Sequence, residues 1–475
     1  METLPDGSIN TVYTNAFGQV MLAARSDGTS QWLSYTRYDA DGRVVLEAGP
    51  TTVTGYSESN ADLVGFSGGN ATYLSDSVGL VTAYTYGTST TATTSTAGDA
   101  LGYLKQAAIR QGETGTAIPQ YAATYILSTV GGINFFHLAT ETVYRNDNGT
   151  GGQTTSYGYT FQSGTNQIAS TTVTLPTVTT AQNGSNSGTT ATVVNDTFGR
   201  PVWAKDQAGV LSYTQYDDLT GAVVKTITDV NTSLTGTFAN LPSGWSTPSG
   251  AGLHLTTSYE VDALGRATKV THPNGRVDYA VYNDAAHEVR TYTGWDASTN
   301  RPTGPTTVTR EDRANGYTET LTMSAAPAVS GGRPTGAESI AQVQSLSRSY
   351  VNAAGQMVYQ DAYFDLGGLS YSTSASLGVE GVNFYRTRYQ YDDTGAVKRV
   401  QTPQGTITRS VRDALGRVVS EWVGTDDTPT SGGTVPTGTA TVLVTQTRYA
   451  TDAVQWLQLT GANVGGGSFT LTFGG

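Results

Sequence analysis

The chain contains no cysteine. Structural disulfides, cysteine nucleophiles and Cys-ligated zinc are therefore excluded. Charge is sparse: 13% of the 475 residues are Asp, Glu, Lys or Arg, and the formal net charge is −12. Nucleic acid and anionic membrane surfaces call for clustered Lys and Arg, so neither is an expected partner. No run approaches the eighteen or so apolar residues of a membrane helix. Histidine is scarce: His137, His254, His272 and His287 are scattered, and none stands in a metal-ligand spacing. No Gly-x-Ser-x-Gly elbow occurs. No catalytic residue, metal ligand or cofactor site is assigned. Residues 1–7 lack the basic and apolar regions of a signal peptide and read like the middle of a repeat. The chain is expected to be an internal segment of something longer, or a mature product. Helix signals are weak. The best lies over 100–110, where Leu101, Leu104 and Ala108 approach helical spacing and Gly102 interrupts it.

What the chain does have is glycine and tyrosine: 57 Gly, and 28 Tyr against 11 Phe. Tyrosine lays a ring on a sheet while its hydroxyl stays wet. One short phrase recurs along the chain. It reads Tyr38-Asp39-Ala40-Asp41-Gly42-Arg43-Val44 and Asn195-Asp196-Thr197-Phe198-Gly199-Arg200. It reads again as Tyr216-Asp217-Asp218-Leu219-Thr220-Gly221 and Tyr259-Glu260-Val261-Asp262-Ala263-Leu264-Gly265-Arg266. The last copies are Tyr391-Asp392-Asp393-Thr394-Gly395 and Arg412-Asp413-Ala414-Leu415-Gly416-Arg417. An active site is needed once, so a phrase repeated this often marks an architectural unit. Between copies lie further Gly turns, such as Gln207-Ala208-Gly209 and His272-Pro273-Asn274-Gly275. The unit is turn, strand, turn, strand, with a period of roughly twenty-odd residues. Asp-Gly and Asn-Gly permit the positive φ of tight hairpin turns.

The strands alternate with period two. Leu33, Tyr35 and Arg37 oppose Trp32, Ser34, Thr36 and Tyr38; Tyr385, Thr387, Tyr389 and Tyr391 oppose Arg386, Arg388 and Gln390. Both faces are mixed, so neither is expected to be a simple oily core face. The predicted fold is all-β, a stacked β-hairpin array. Residues 1–48 and 192–424 carry clear repeats. Residues 49–191 carry degenerate repeats with long Gly/Ser/Thr-rich hairpin loops, 181–188 among them. Residues 425–475 read as a loop, a glycine linker and a terminal strand.

These phrases resemble the YD-repeat (Rhs-repeat) family. Tyr38, Asp39, Gly42, Arg43, Gly199, Arg200, Tyr216, Asp217, Gly221, Tyr259, Gly265, Arg266, Tyr391, Asp392, Gly395, Gly416 and Arg417 carry the likeness, which covers about half the chain clearly. The resemblance implies hairpins stacked into a spiralling sheet that forms a shell or barrel-like solenoid. The Asp-Pro-x-Gly run of the family's core region is absent, as is any recognisable toxin, so release by self-cleavage is unsupported here.

Three functional readings compete at single residues. Asp39-Ala40-Asp41-Gly42 is a poor calcium loop, because the third oxygen ligand is missing; turn chemistry is the better account. Arg43, Arg200, Arg266 and Arg417 recur in register, so pairing with the repeat's own Asp or stacking on its Tyr outweighs anion binding. Trp32, Trp203, Trp245, Trp295, Trp422 and Trp456 mostly adjoin repeat strands, and packing explains them; Trp245 and Trp295 stand in looser contexts and are the candidates for a glycan-binding surface. The expected role is a non-enzymatic, extracellular or cell-surface scaffold, part of an Rhs-type shell or delivery protein. The alternative is a fibre or adhesin subunit that self-associates through sheet edges by β-strand addition.

Overall fold

The computed structural model describes residues 2–3, 8–413, 416–429, 435–449 and 455–458. The expected linker and final strand at 465–473, the end of the 426–433 loop, and the Trp456 side chain lie outside the described residues. The chain divides into two compact units, Met1–Thr257 and Ser258–Gly475. Within each, strands follow one another as an antiparallel meander. In the first unit Val20–Ser26 pairs with Gln31–Tyr38, which pairs with Val44–Ala48. In the second, Thr306–Asp312, Tyr317–Met323, Val343–Val351 and Met357–Tyr363 pair in succession. Among the described residues there is no α-helix, only the 3-10 turns Thr180–Gln182 and Asp284–Ala286.

The weak helical spacing over 100–110 is overridden. Leu104–Gln111 is a strand paired with Leu80–Tyr86, and Gly102 turns the chain into it at φ 82°. A short, interrupted periodicity cannot outweigh a full ladder of cross-strand hydrogen bonds. The expected degenerate stretch holds the longest strands, Ile118–Val130 and Ile133–Tyr144.

Because the chain meanders, connections alternate between the two edges of the sheet. Within each unit the recurring phrase falls at one end of the strands, and most long connections fall at the other. In the first unit these are 49–79, 175–189 and 229–254; in the second they include 293–305, 324–342 and 364–383. The loops 49–79 and 229–254 in the first unit, and 324–342 and 364–383 in the second, fold back over the strands of their own unit. Val53, Leu63, Val64 and Leu74 of the first loop bury Leu22, Leu33, Tyr35, Leu46 and Val81. Phe238, Leu241 and Trp245 cover Trp203, Leu211, Tyr213 and Ile227. Ala325, Ile340, Leu366, Tyr371 and Leu377 cover Val308, Leu321, Met323 and Leu346. The expectation that neither strand face forms an apolar core is therefore corrected: Leu33 and Tyr35 are buried, because distant loops supply the apolar partners that the strands lack locally.

Candidate functional site

The recurring phrase folds into one turn geometry. Asp39 N–H donates to the Arg43 carbonyl at 2.9 Å, and Gly42 N–H to the Asp39 carbonyl at 3.1 Å. Gly42 has φ 77°, the left-handed conformation that closes a type I turn with a bulge. The strand register slips at Arg37/Tyr38, just before this turn. One oxygen of Asp39 accepts from Asp41 N–H at 3.0 Å and Arg43 N–H at 2.9 Å; the other accepts from Arg43 Nε at 2.7 Å. The same geometry returns at Asp196–Arg200, Asp262–Arg266 and Asp413–Arg417, with Nε to carboxylate distances of 2.8 Å in each. Asp392 and Gly395 keep the turn with Ala396 in place of Arg. Asp217 and Gly221 form a version one residue longer, in which Thr220 donates to the carboxylate through N–H and hydroxyl.

The arginine then reaches sideways. Arg43 lies over the Tyr86 ring at 4.8 Å, Arg200 over Tyr216 at 4.4 Å and Arg266 over Tyr282 at 4.2 Å. Each of these tyrosines also donates its hydroxyl to the carbonyl of the residue after the arginine: Tyr86 to Val44 at 2.9 Å, Tyr216 to Pro201 at 3.0 Å, Tyr282 to Ala267 at 3.2 Å. One hairpin's turn is thus stapled to the next strand pair by a cation–π contact and a hydrogen bond. Tyr38 and Tyr391 make the same hydroxyl contact, to Val20 and Met357. Tyr259 does not take this position: Val261 stands beside the Asp262 turn, and Tyr259 lies two residues earlier on its strand.

A neutral version of the turn escaped the sequence reading. Asn15 and Gln19 replace the Asp–Arg pair, joined at 2.8 Å, and Asn352 and Gln356 do so at 2.9 Å. The Asn oxygens accept the same two backbone N–H groups. Here the glutamine reaches the neighbouring turn's glycine carbonyl, Gln19 to Gly42 at 2.8 Å and Gln356 to Gly395 at 3.3 Å. Asn at the Asp position followed four residues later by Gln was the available signal.

Electrostatics follow the hydrogen bonds. The Arg266 N–H draws Asp262 below the usual carboxylate range; partial desolvation opposes this and the Arg266 guanidinium adds to it. The N–H and then the hydroxyl of Thr220 lower Asp217 in the same way. In the Asp39–Asp41 turn both oxygens of Asp39 are taken by the turn, and Asp41 pairs with Arg43 at 2.8 Å, so turn chemistry accounts for the acidic pair.

The glycan candidates fare unequally. Trp295 is only 8% exposed; it packs edge-on against Tyr279 and Tyr292 and donates Nε1 to the Gly332 carbonyl. A buried ring cannot serve as a platform, so the Trp295 expectation is corrected: the 324–342 loop covers it. Trp245 is half-buried against Trp203, with Lys205 4.9 Å above its ring. His272 pairs with Asp278 at 2.7 Å, and His254 bridges Asn231 N–H and the Thr237 hydroxyl within its own loop.

Sequence reasoning also missed a row of buried charges in the second unit. Across successive strands, Glu288, Arg310, Glu319, Arg348, Asp361 and Arg386 lie directly opposite one another, alternating in sign. Glu319 accepts from Arg310 at 2.7 Å and from Arg348 at 3.0 Å, and Tyr371 donates to it. Asp361 receives both Nε and Nη2 of Arg386 at 2.7 Å. The Arg348 and Glu319 side chains are fully buried. A charged residue in the interior of each successive strand, Glu319, Arg348 and Asp361 among them, was the sequence signal.

No protein-family model matches the chain, and no curated protein matches it. Solved structures of similar course include TcdB2-TccC3-TEV, at 12% identity and TM-score 0.35 over 94% of this chain and 24% of that one. TcdB2-TccC3 matches at 12% identity and TM-score 0.28, over 93% and 27%. The Tc holotoxin pore of Photorhabdus luminescens matches at 12% identity and TM-score 0.17, over 96% and 25%. The chain spans about a quarter of the length of these chains. Scores this low carry no weight for its function.

Proposed function

We propose that the chain is a non-catalytic structural scaffold, a segment of a YD-repeat, Rhs-type shell that works outside the cell in association with further repeats or other chains. One observation carries this reading. The polar groups of the phrase are spent on cohesion: Asp on its own turn and arginine, Arg on the next tyrosine, Tyr on a neighbouring carbonyl. A side chain consumed in this way binds neighbouring hairpins together and leaves little to offer a substrate. The low charge and absent cysteine suit an extracellular surface rich in Thr, Ser and Gly. Among the described residues no helix is long and apolar enough to cross a membrane.

Negative-stain electron microscopy of the purified chain tests the proposal. Curved or closed walls one sheet thick are the expected result. Straight filaments growing with concentration would favour fibre assembly by strand addition instead. A hydrolase or transferase activity lost on substitution of a turn aspartate would overturn the scaffold reading.

A further inference from the structure

Residues 371–377 cross the second unit's sheet without regular secondary structure, and side chains of the sheet hold them by their carbonyls. Arg348 donates Nη2 to Ser372 and Nη1 to Ser374, each at 2.6 Å. Tyr317 and Asn315 donate to Thr373 at 2.9 and 3.0 Å. Tyr350 donates to Ala375 at 2.7 Å, and Tyr363 to Leu377 at 2.8 Å. None of the backbone N–H groups of 370–377 has a main-chain acceptor among the described residues. Residues 373–376 are exposed. Two side chains anchor the ends: Leu377 is buried, and Tyr371 reaches Glu319. Glycines at positive φ flank the segment, Gly368 at 73° and Gly378 at 75°.

Contacts of this kind read the main chain and ignore the side chains between the anchors. A strand edge would use both N–H and C=O groups; here only carbonyls are used. The surface is therefore specific for extended backbone with two anchors six positions apart, one an aromatic hydroxyl and the other an apolar side chain. We propose that this face of the sheet is a binding groove for an extended peptide of that chemistry, kept closed by the chain's own residues 371–377. The proposal goes beyond the scaffold reading and does not depend on it: a groove could open in a shell, a fibre or an isolated chain. The glycines would serve as the hinges on which the strap lifts.

The probe is a fluorescent synthetic peptide of residues 369–379, followed by anisotropy against the full chain. The intact chain should bind it weakly, because a tethered strap competes at an effective concentration on the order of millimolar. Releasing the strap with Tyr371→Ala and Leu377→Ser together should raise affinity at least tenfold. Leu377→Ser alone should give an intermediate gain and retain cooperative thermal unfolding. A peptide with residues 372–376 shuffled should bind the released chain equally well. Adding Tyr350→Phe and Asn315→Ala to that chain should weaken binding about tenfold. The proposal is overturned if a released, cooperatively folded variant binds no tighter than the intact chain. It is equally overturned if shuffling abolishes binding, if Tyr350→Phe with Asn315→Ala leaves it unchanged, or if Leu377→Ser alone abolishes cooperative unfolding, since the segment would then be a fixed part of the fold.

Discussion

Loops cover an apolar row in both units, but the second unit sets a row of paired charges beside its own row of Val308, Leu321 and Leu346. In the first, the row beneath the 49–79 loop reads Tyr13, Leu22, Tyr35, Ala48, Val81 across successive strands. In the second, the row ending at the 364–383 loop reads Glu288, Arg310, Glu319, Arg348, Asp361, Arg386. The backbone ladder accommodates both, so it does not choose between them. What differs is the penalty for error. An apolar row gains about 25 cal/mol per Å² buried and loses stability gradually when trimmed. A buried charge row roughly breaks even when complete and fails sharply when one member is removed.

The largest expected effect tests that asymmetry. Arg348→Ala leaves Glu319 short of a cation and the carbonyls of Ser372 and Ser374 without donors. It should destabilise the second unit by about 3–5 kcal/mol in urea denaturation. Replacing Arg310, Glu319 and Arg348 together by Met, Leu and Met should recover more than half of that loss, since no buried charge is then unpaired. If the triple variant is worse than the single one, the charge row contributes net stability and the comparison must be redrawn.

Next comes the apolar counterpart. Leu22 is fully buried, and Leu22→Ala should cost about 2–4 kcal/mol through lost transfer energy and a residual cavity. Conservative trimming, by Leu22→Met, should cost under about 1.5 kcal/mol. No conservative single replacement of Arg348 is expected to be so mild, because a lysine cannot supply the guanidinium fork that serves Glu319 and two carbonyls at once.

In pH the two units should behave alike. Burial pushes Tyr35 up to about 12, with the Asp62 charge adding to it. Its folded value lies above its unfolded one, so its contribution is complete below about pH 10 and is lost as pH rises through the folded value. Tyr317 in the second unit is pushed up to about 12 by burial as well, so alkali should weaken both units. Acid should weaken both as well: in the first unit the N–H and then the hydroxyl of Thr220 hold Asp217 low. Glu338 is buried, which opposes ionisation, but hydrogen bonds from Tyr292 and Ala328 N–H and then from Arg290 bring it below the ordinary glutamate value. A lowered carboxylate gives stability above its unfolded pKa and loses it as pH falls through the folded one. Thermal unfolding should therefore shift downward as pH falls below 4.5, and Glu338→Gln should flatten the second unit's part of that shift.

How much of this was legible in the sequence differs by interaction range. The turn was legible because its partners lie four residues apart: Asp196 and Arg200, with Gly199 between, stand together in the chain. The hairpin meander followed from their spacing. The stapling tyrosines were half legible, since Tyr216 adjoins a phrase while Tyr86 and Tyr282 follow none, and Tyr259 adjoins one without taking the role. The caps were not legible. Leu63 joins the cluster that holds Leu33, and Tyr371 reaches Glu319, across tens of residues, and nothing local to either segment announces the partner. Trp295 was misjudged for that reason: its strand neighbours looked loose, while its cover came from residues near 332.

The smallest expected effect bears on the turns themselves. The Asn15–Gln19 and Asn352–Gln356 turns bind the same backbone N–H groups as the Asp–Arg turns, so the charge is not what shapes the loop. Asp196→Ala should cost about 1 kcal/mol, the usual net worth of such hydrogen bonds. Asp196→Asn combined with Arg200→Gln should cost less than that, because the amide pair restores the N–H acceptor and forfeits only the half-exposed ion pair and the stacking on Tyr216. Each single variant should be worse than the pair: Asp196→Asn alone would leave Arg200 without its carboxylate, and Arg200→Gln alone would leave Asp196 without its cation. A double-mutant cycle in urea measures the coupling directly. A coupling near zero would mean that arginine is held by the tyrosine ring alone, and the staple would then belong to the next hairpin and not to the turn.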